Sequence, residues 1–260
     1  MEWYERFGLS KNPFTTDPFE SEYTLVNYSQ LVEDLLYFTA AGHMVLLEGS
    51  EGAGKTMMLQ QIISRFRGEG RVAYIDGAHL RGEPDIEQIL NKKGRGFLGN
   101  MMKKKPKGMI LLLDDVVHIS SKNFEKIKYY FDQDYIRSVI FTIHDSDQLD
   151  MPPSIIDRVQ GRHIVIPPMN NFDALRIVRE RFSDHFFLSD HVILKLFELS
   201  NRNIKQLLKN CDRVCEFVVQ EGKGEVLPKY LRIALSVHGI ETEENPISSQ
   251  KVRTEVEVEE

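Results

Sequence analysis

Residues Gly49-Ser50-Glu51-Gly52-Ala53-Gly54-Lys55-Thr56 read G-x-x-x-x-G-K-T, the spacing of a phosphate-binding P-loop. The chemistry requires these residue types. Successive backbone N–H groups at a helix N-terminus form a nest for an anion. Gly49, Gly52 and Gly54 permit the torsions and close approach that side chains would block. Lys55 is expected to reach the β- and γ-phosphates and Thr56 to ligate Mg²⁺, with Ser50, Glu51, Ala53 and Met57 completing the loop around the nucleotide. The motif follows the apolar run 44–47 and precedes a helical pattern, Met58-Leu59, Ile62-Ile63 and Phe66, which is the strand–loop–helix context that gives it meaning.

A second constellation lies at Met109-Ile110-Leu111-Leu112-Leu113-Asp114-Asp115. An apolar strand ending in acids delivers carboxylates to the carboxyl edge of a sheet, beside the phosphate loop. Asp114 is assigned to the metal. The second acid polarises the attacking water. Glu is usual there, and the shorter arm of Asp115 predicts slow hydrolysis, because geometry precedes pKa in general-base catalysis. The alternative is that Asp115 caps the following helix. A further strand, 138–144, ends in His144, a candidate for touching the γ-phosphate or the water, with Thr142 as second choice.

The elements that position these residues follow from hydrophobic patterning. Apolar runs of strand length recur at 44–48, 71–76, 109–114, 138–144 and 163–166 with helical stretches between them, which implies a parallel sheet with helices on both faces. After about Asn170, helical patterns alone follow, at 171–183, 190–200, 203–220 and 227–237. Pro167-Pro168 marks the junction. The expected organisation is an N-terminal segment, 1–40, contributing to the nucleotide pocket, an α/β nucleotide domain, 41–168, a helical lid, 169–240, and an acidic, disordered tail, 241–260.

Composition sets bounds. The 260 residues are 42% hydrophobic, enough for a substantial core. The two cysteines, Cys211 and Cys215, stand four apart on one helical face, where a core role is expected and no disulfide framework is possible. The start lacks the basic and apolar regions of a signal peptide, and no run approaches a membrane span, so a cytoplasmic protein without membrane insertion is expected. The net charge is −6. The tail holds seven Glu and two basic residues, a net −5, so the remaining body lies near −1. That body neither demands nor forbids nucleic acid. The tail has little to bury and offers itself to a protein partner.

Taken in order, these motifs and the run Pro152-Pro153-Ser154-Ile155-Ile156-Asp157-Arg158 through Arg162 resemble the AAA+ ATPases over roughly residues 1–237. The resemblance implies a three-layer αβα P-loop NTPase domain with a five-stranded parallel sheet, followed by a small all-helical lid, binding ATP and Mg²⁺. It implies that Arg158 is an arginine finger that enters a neighbouring subunit's site in a homo-oligomer, with Arg162 as competitor. The stretch 200–208 resembles the family's sensor 2, with Lys205 where Arg is typical. Lysine supplies a point charge and no planar fork, and Arg202 is an alternative. Phe7-Gly8-Leu9, Asn12-Pro13-Phe14, Asp17-Pro18 and Tyr28-Ser29 resemble the entry segment of the ExeA-type and TniB-type ATPases, near relatives of the origin-recognition initiators. In that branch Phe14 would lie against the adenine and Tyr28 would line the same pocket.

No winged-helix domain of the kind usual in initiators is expected after about residue 240, so any grip on DNA is expected from the ATPase itself. Residues 92–107 contain Lys92, Lys93, Arg95, Lys103, Lys104, Lys105 and Lys107 with no acid. A basic, Gly-containing loop of this kind tracks phosphates with steep salt dependence, although lysines before a strand also form solvated helix ends. The expectation is an ATP-dependent oligomerising switch associated with DNA, as in an initiator, loader or transposition regulator. Its rival is an ATP-dependent scaffold for a secretion or pilus-type protein complex, without DNA binding.

Overall fold

The computed structural model describes residues 2–19, 28–67, 72–77, 108–148 and 151–236. The basic stretch 92–107 and the acidic tail 241–260 lie outside them. Five strands form one parallel sheet: β1 (Met44–Glu48), β2 (Val72–Asp76), β3 (Met109–Asp114), β4 (Ile136–Ile143) and β5 (His163–Val165). Their order is β2-β3-β4-β1-β5. The central register pairs Met44 with Val139 and Glu48 with Ile143, while Ile110 pairs with Ser138 and Leu113 with Phe141. This order sets the carboxyl ends of β1, β3 and β4 side by side, which is the edge where parallel sheets bind ligands.

Alternation along each strand builds two cores, because successive side chains point to opposite faces. Met44, Leu46, Ala73, Ile75, Leu111, Leu113, Val139 and Phe141 face α3 (Ser121–Asp132) and α4 (Pro153–Val159) through Phe124, Ile127, Ile155 and Val159. Val45, Leu47, Ile110, Leu112 and Ile140 face α1 (Ser29–Ala40) and α2 (Lys55–Phe66) through Leu35, Met58, Leu59, Ile62 and Phe66. Covered on both sides, β3 is buried at every position, so its sequence reads as a continuous apolar run rather than an alternation.

Four helices follow: α5 (Asn171–Arg181), α6 (Asp190–Leu199), α7 (Ile204–Gln220) and α8 (Pro228–Ser236). Asn170, Ser189 and Asn203 cap α5, α6 and α7 with side-chain oxygens that accept from first-turn amides, the orphan donors that a helix start must satisfy. Their third core holds Ile177, Val178, Ile193, Leu196, Leu207, Val214 and Leu231, together with both buried cysteines. Burial pushes both thiols above the ordinary cysteine range.

The N-terminal segment divides between two bodies. Trp3 and Phe14 belong to the lid core. Their rings stack 5.6 Å apart, and Phe182 meets both. Trp3 Nε1 and Asn12 Nδ2 both donate to Asp212 Oδ1 on α7, at 2.7 and 2.8 Å. Helix α1, by contrast, packs on the sheet beside α2. Two of the expected nucleotide contacts are therefore corrected. Phe14 is 2% exposed inside the lid. Tyr28 is buried as well, and its hydroxyl donates to Pro167 O at 3.1 Å, tying the start of α1 to the domain junction. Burial and the charge of Asp173 push that phenol up to about 12.

Candidate functional site

At the carboxyl edge of the sheet a cavity of about 670 Å³ opens between the α/β layers and the lid. Its floor is the loop 51–57. Gly54 begins α2 at φ 96° and offers no side-chain cap, so the first-turn amides of Lys55, Thr56 and Met57, which lack intrahelical acceptors, are available to an anion. Gly52 lies at φ 77°, and a Cβ there would come within 2.3 Å of Asn203 Oδ1. A side chain at 52 would have to displace the Asn203 amide.

Lys55 is 6% exposed. Its ammonium donates to Gly49 O at 2.5 Å and Ser50 O at 3.0 Å, and it lies 3.2 Å from His144 Nδ1. Burial lowers its pKa, against the opposing charges of Asp114, Asp115 and Glu51. Asp114, at the end of β3, is 7% exposed. Its Oδ2 accepts from Thr56 Oγ1 at 2.7 Å and from the Tyr74 hydroxyl at 2.9 Å, and its Oδ1 accepts from Thr142 Oγ1 at 2.6 Å. Burial and the adjacent Asp114 push the Tyr74 phenol well above the ordinary tyrosine range, which keeps it a donor.

Thr56 and Asp114 fit a hard divalent cation. They set a hydroxyl and a carboxylate 2.7 Å apart beside the anion nest, and no cluster of three or more His, Cys, Asp or Glu capable of holding a metal occurs among the described residues. That donor set suits Mg²⁺, which takes one or two protein oxygens and completes its shell with phosphate and water.

Asp115 adopts φ 60°, a left-handed conformation that Asp tolerates better than most residues. Two neighbours hold it there. Its N–H donates to Thr142 Oγ1 at 2.9 Å. Gly77 packs so closely that a Cβ would lie 2.2 Å from Asp115 O, while its own N–H donates to Asp114 O at 2.6 Å. The turn Val116–His118 follows, but the Asp115 side chain makes no capping bond to it. The carboxylate faces His144 instead, Oδ2 lying 3.8 Å from Nε2. Thr142 and His144, which the sequence offered as alternatives, thus both meet this cluster.

The opposite wall comes from the lid and the N-terminal segment. Lys205 is exposed and lines the cavity with Ile204 and Leu208. Asn203 reaches across, Nδ2 donating to Glu51 O at 2.8 Å while its Oδ1 accepts from Gln206 N. The turn that presents it is fixed from behind, where buried Asn210 donates to Ser200 Oγ and accepts from Gln206. Asn201 and Arg202 both take positive φ in this turn. Arg202 is exposed and does not line the cavity. Thr15 to Phe19 also line the cavity, with Arg181 beneath them donating to Thr15 O at 2.9 Å. The ring of Phe19 meets Tyr74 edge-on at 5.5 Å.

Arg158 is placed elsewhere. On α4 it pairs with Asp132 at 2.7 Å and lies over the Phe131 ring, away from its own chain's cavity. Arg162 donates to Arg158 O. Sequence reasoning missed Tyr74 and Arg181; it reached the 15–19 stretch only as part of the 1–40 segment expected at the pocket, and Asn203 only as part of the stretch 200–208. Tyr74 carried a signal, being a polar-tipped residue near the end of an apolar strand. The cap at Asn203 was readable, but its reach to Glu51 was not.

A family model described as AAA domain matches residues 41–173. Among solved structures, Cdc6p from Pyrobaculum aerophilum matches with a TM-score of 0.73 at 17% identity, over 88% of this chain and 71% of that one. ORC1 from Aeropyrum pernix, solved in complex with DNA, matches at 0.67 and 13%, over 85% and 68%. The Thermotoga maritima RuvB Holliday junction branch migration motor matches at 0.60 and 15%, over 82% and 70%. No curated protein matches the chain. Among the described residues no helix is long and apolar enough to cross a membrane.

Proposed function

The chain belongs to the AAA domain family, with a fold resembling the origin-recognition initiators, and on that premise we propose that it is a Mg·ATP-dependent oligomerising switch acting on DNA. The observation that carries this reading is the shared cavity: loop 51–57, Asp114, Asp115 and His144 on one wall, Ile204, Lys205 and Leu208 on the other. A nucleotide held by both walls sets the angle between the two domains, which is a two-state element that a γ-phosphate biases.

In this reading the amides of the loop and Lys55 hold the phosphates. Thr56 and Asp114 hold Mg²⁺, which when bound neutralises charge on the transferring phosphoryl group. Asp115 and His144 serve the attacking water, and Lys205 reports the γ-phosphate to the lid. Arg158 acts in a neighbouring copy's site, for which it must leave Asp132. That pair is about one-third exposed on each side, and such pairs contribute only about 0–1 kcal/mol, so a neighbour's phosphate competes well for the guanidinium. The initiator-like ORC1 was solved on DNA and RuvB is a branch-migration motor. Those neighbours and the run of lysines in 92–107 favour DNA as the partner, with the acidic tail left for a protein.

The test is DNA binding with and without ATP across a salt series, with light scattering for mass. The expected result is binding that needs ATP, weakens steeply with salt and accompanies oligomers. Oligomers that need ATP but ignore DNA at low salt would turn the reading to a protein-directed scaffold.

A further inference from the structure

The sheet ends in two edges, β2 and β5. The bonds of β5 to β1 fix its backbone directions: Arg162 O accepts from Leu46 N, and Ile166 N donates to Glu48 O. Direction alternates along a strand. Ile164 therefore also turns inward, while His163 and Val165 turn their N–H and C=O groups outward. These four groups have no hydrogen-bond partner among the described residues. Pro167, which has no N–H, ends the edge, and its carbonyl is taken by Tyr28. The side chains are open as well. His163 is exposed, and Val165 is 55% exposed. Both lie on the α4 face of the sheet, because His163 stands in register with Leu46 and Val165 with Glu48. The acid on that face, Glu48, is engaged by His163 at 2.7 Å. Helix α4 itself exposes Ile156.

The sequence holds a segment that fits such an edge. Val252, Thr254, Val256 and Val258 recur at every second position, with Arg253, Glu255, Glu257 and Glu259 between them. Period-two alternation marks a strand with one apolar face, and β-branched residues suit a pleated surface. Charge chooses between the two edges. The segment carries three glutamates against one arginine. Strand β2 ends in Asp76, in register with Asp114, whereas β5 begins with His163 and is preceded by Arg162. Reach is sufficient within one copy. Residues 237–251 follow Ser236, the end of α8, and extend up to about 50 Å. A folded body of this size is on the order of 45 Å across. A linker of that length holds its segment near about millimolar effective concentration.

We propose that residues 252–258 add to the outer edge of β5 in their own copy, as a sixth strand of the sheet. The outward groups of His163 and Val165 supply the ladder bonds. The valines and Thr254 fall on the α4 face beside Val165, and the glutamates turn to the other face. Strand addition of this kind takes its affinity from the main chain and its register from alternate side chains. It also removes an exposed edge, which is a template for pairing with other chains. The partner of the acidic tail is then the chain's own sheet, and this holds whether or not the chain turns over ATP.

Amide hydrogen exchange tests this on the full chain without nucleotide. The His163 and Val165 amides are expected to exchange at least about tenfold more slowly in the full chain than in a chain ending at Gln250. Amides of β3 should exchange alike in both, which shows that the fold is kept. The double variant Val256→Asp, Val258→Asp retains the length and acidity of the tail and is expected to match the shortened chain. The protection should not change on dilution. Equal exchange at His163 and Val165 in the full and shortened chains would overturn the proposal. Protection that survives the two aspartates would mean that charge alone holds the tail, and would overturn strand pairing. Slowing confined to the β2 amides would place the segment on the wrong edge. Protection that fades on dilution would assign it to a second copy, against the pairing proposed.

Discussion

The two walls of the cleft are built differently. On the α/β wall the central groups are fixed by burial and by several bonds: Lys55 and Asp114 are nearly inaccessible, Thr142 is wholly buried, and Asp114 accepts from three side chains. On the lid wall Lys205 is exposed, and the described link to the loop is the amide of Asn203 on the Glu51 carbonyl. One wall is preorganised for electrostatic chemistry, which costs no rearrangement at the moment of reaction. The other is joined to the loop by that one described bond, which is what the proposed switch requires: chemistry on one body and readout on the other.

The largest effect on this contrast is expected from Thr142→Val. It leaves Asp114 Oδ1 and the Asp115 N–H without their hydroxyl partner, and buried groups stripped of partners cost about 2–3 kcal/mol. Denaturant unfolding should show that loss, together with a raised Mg²⁺ requirement for ATP binding. A change under about 0.5 kcal/mol, the ordinary range for surface substitutions, would mean that this wall is not rigid in the way described. A smaller effect is expected from Asn203→Ala. It removes a helix cap, worth about 1 kcal/mol, and frees the lid from the loop. Hydrogen exchange in the turn 200–204 should quicken without ATP while β3 and β4 stay protected. Equal acceleration in both walls would erase the distinction between them.

How far the sequence foretold this depends on whether the physics is local. The sheet was legible because β1 and β3 are uninterrupted apolar runs. Strand β4 was expected over 138–144 and forms over Ile136–Ile143, since exposed Arg137 disguises its start. The placement of loop 51–57 between β1 and α2 and of Asp114 at the end of β3 was legible because both follow from short local patterns. The loop geometry around Asp115 was not, because it depends on Gly77 and Thr142, each 27 or more residues away. Phe14 was misplaced for a related reason. An aromatic after Pro13 says that something will be covered, and only the fold shows that Trp3, Phe182 and the lid provide the cover. Tyr28 likewise resembled a pocket residue until Pro167 supplied its hydroxyl with an acceptor.

The central claim is that one ATP spans both walls, with the α/β wall dominant. Mg·ATP titration of the wild-type protein, Lys55→Ala and Lys205→Ala tests it most directly. Saturable binding by the wild type, its loss in Lys55→Ala, and a weakening of about tenfold or less in Lys205→Ala, on the order of 1.4 kcal/mol, is the predicted result. Wild-type affinity in Lys55→Ala would contradict the account at its base.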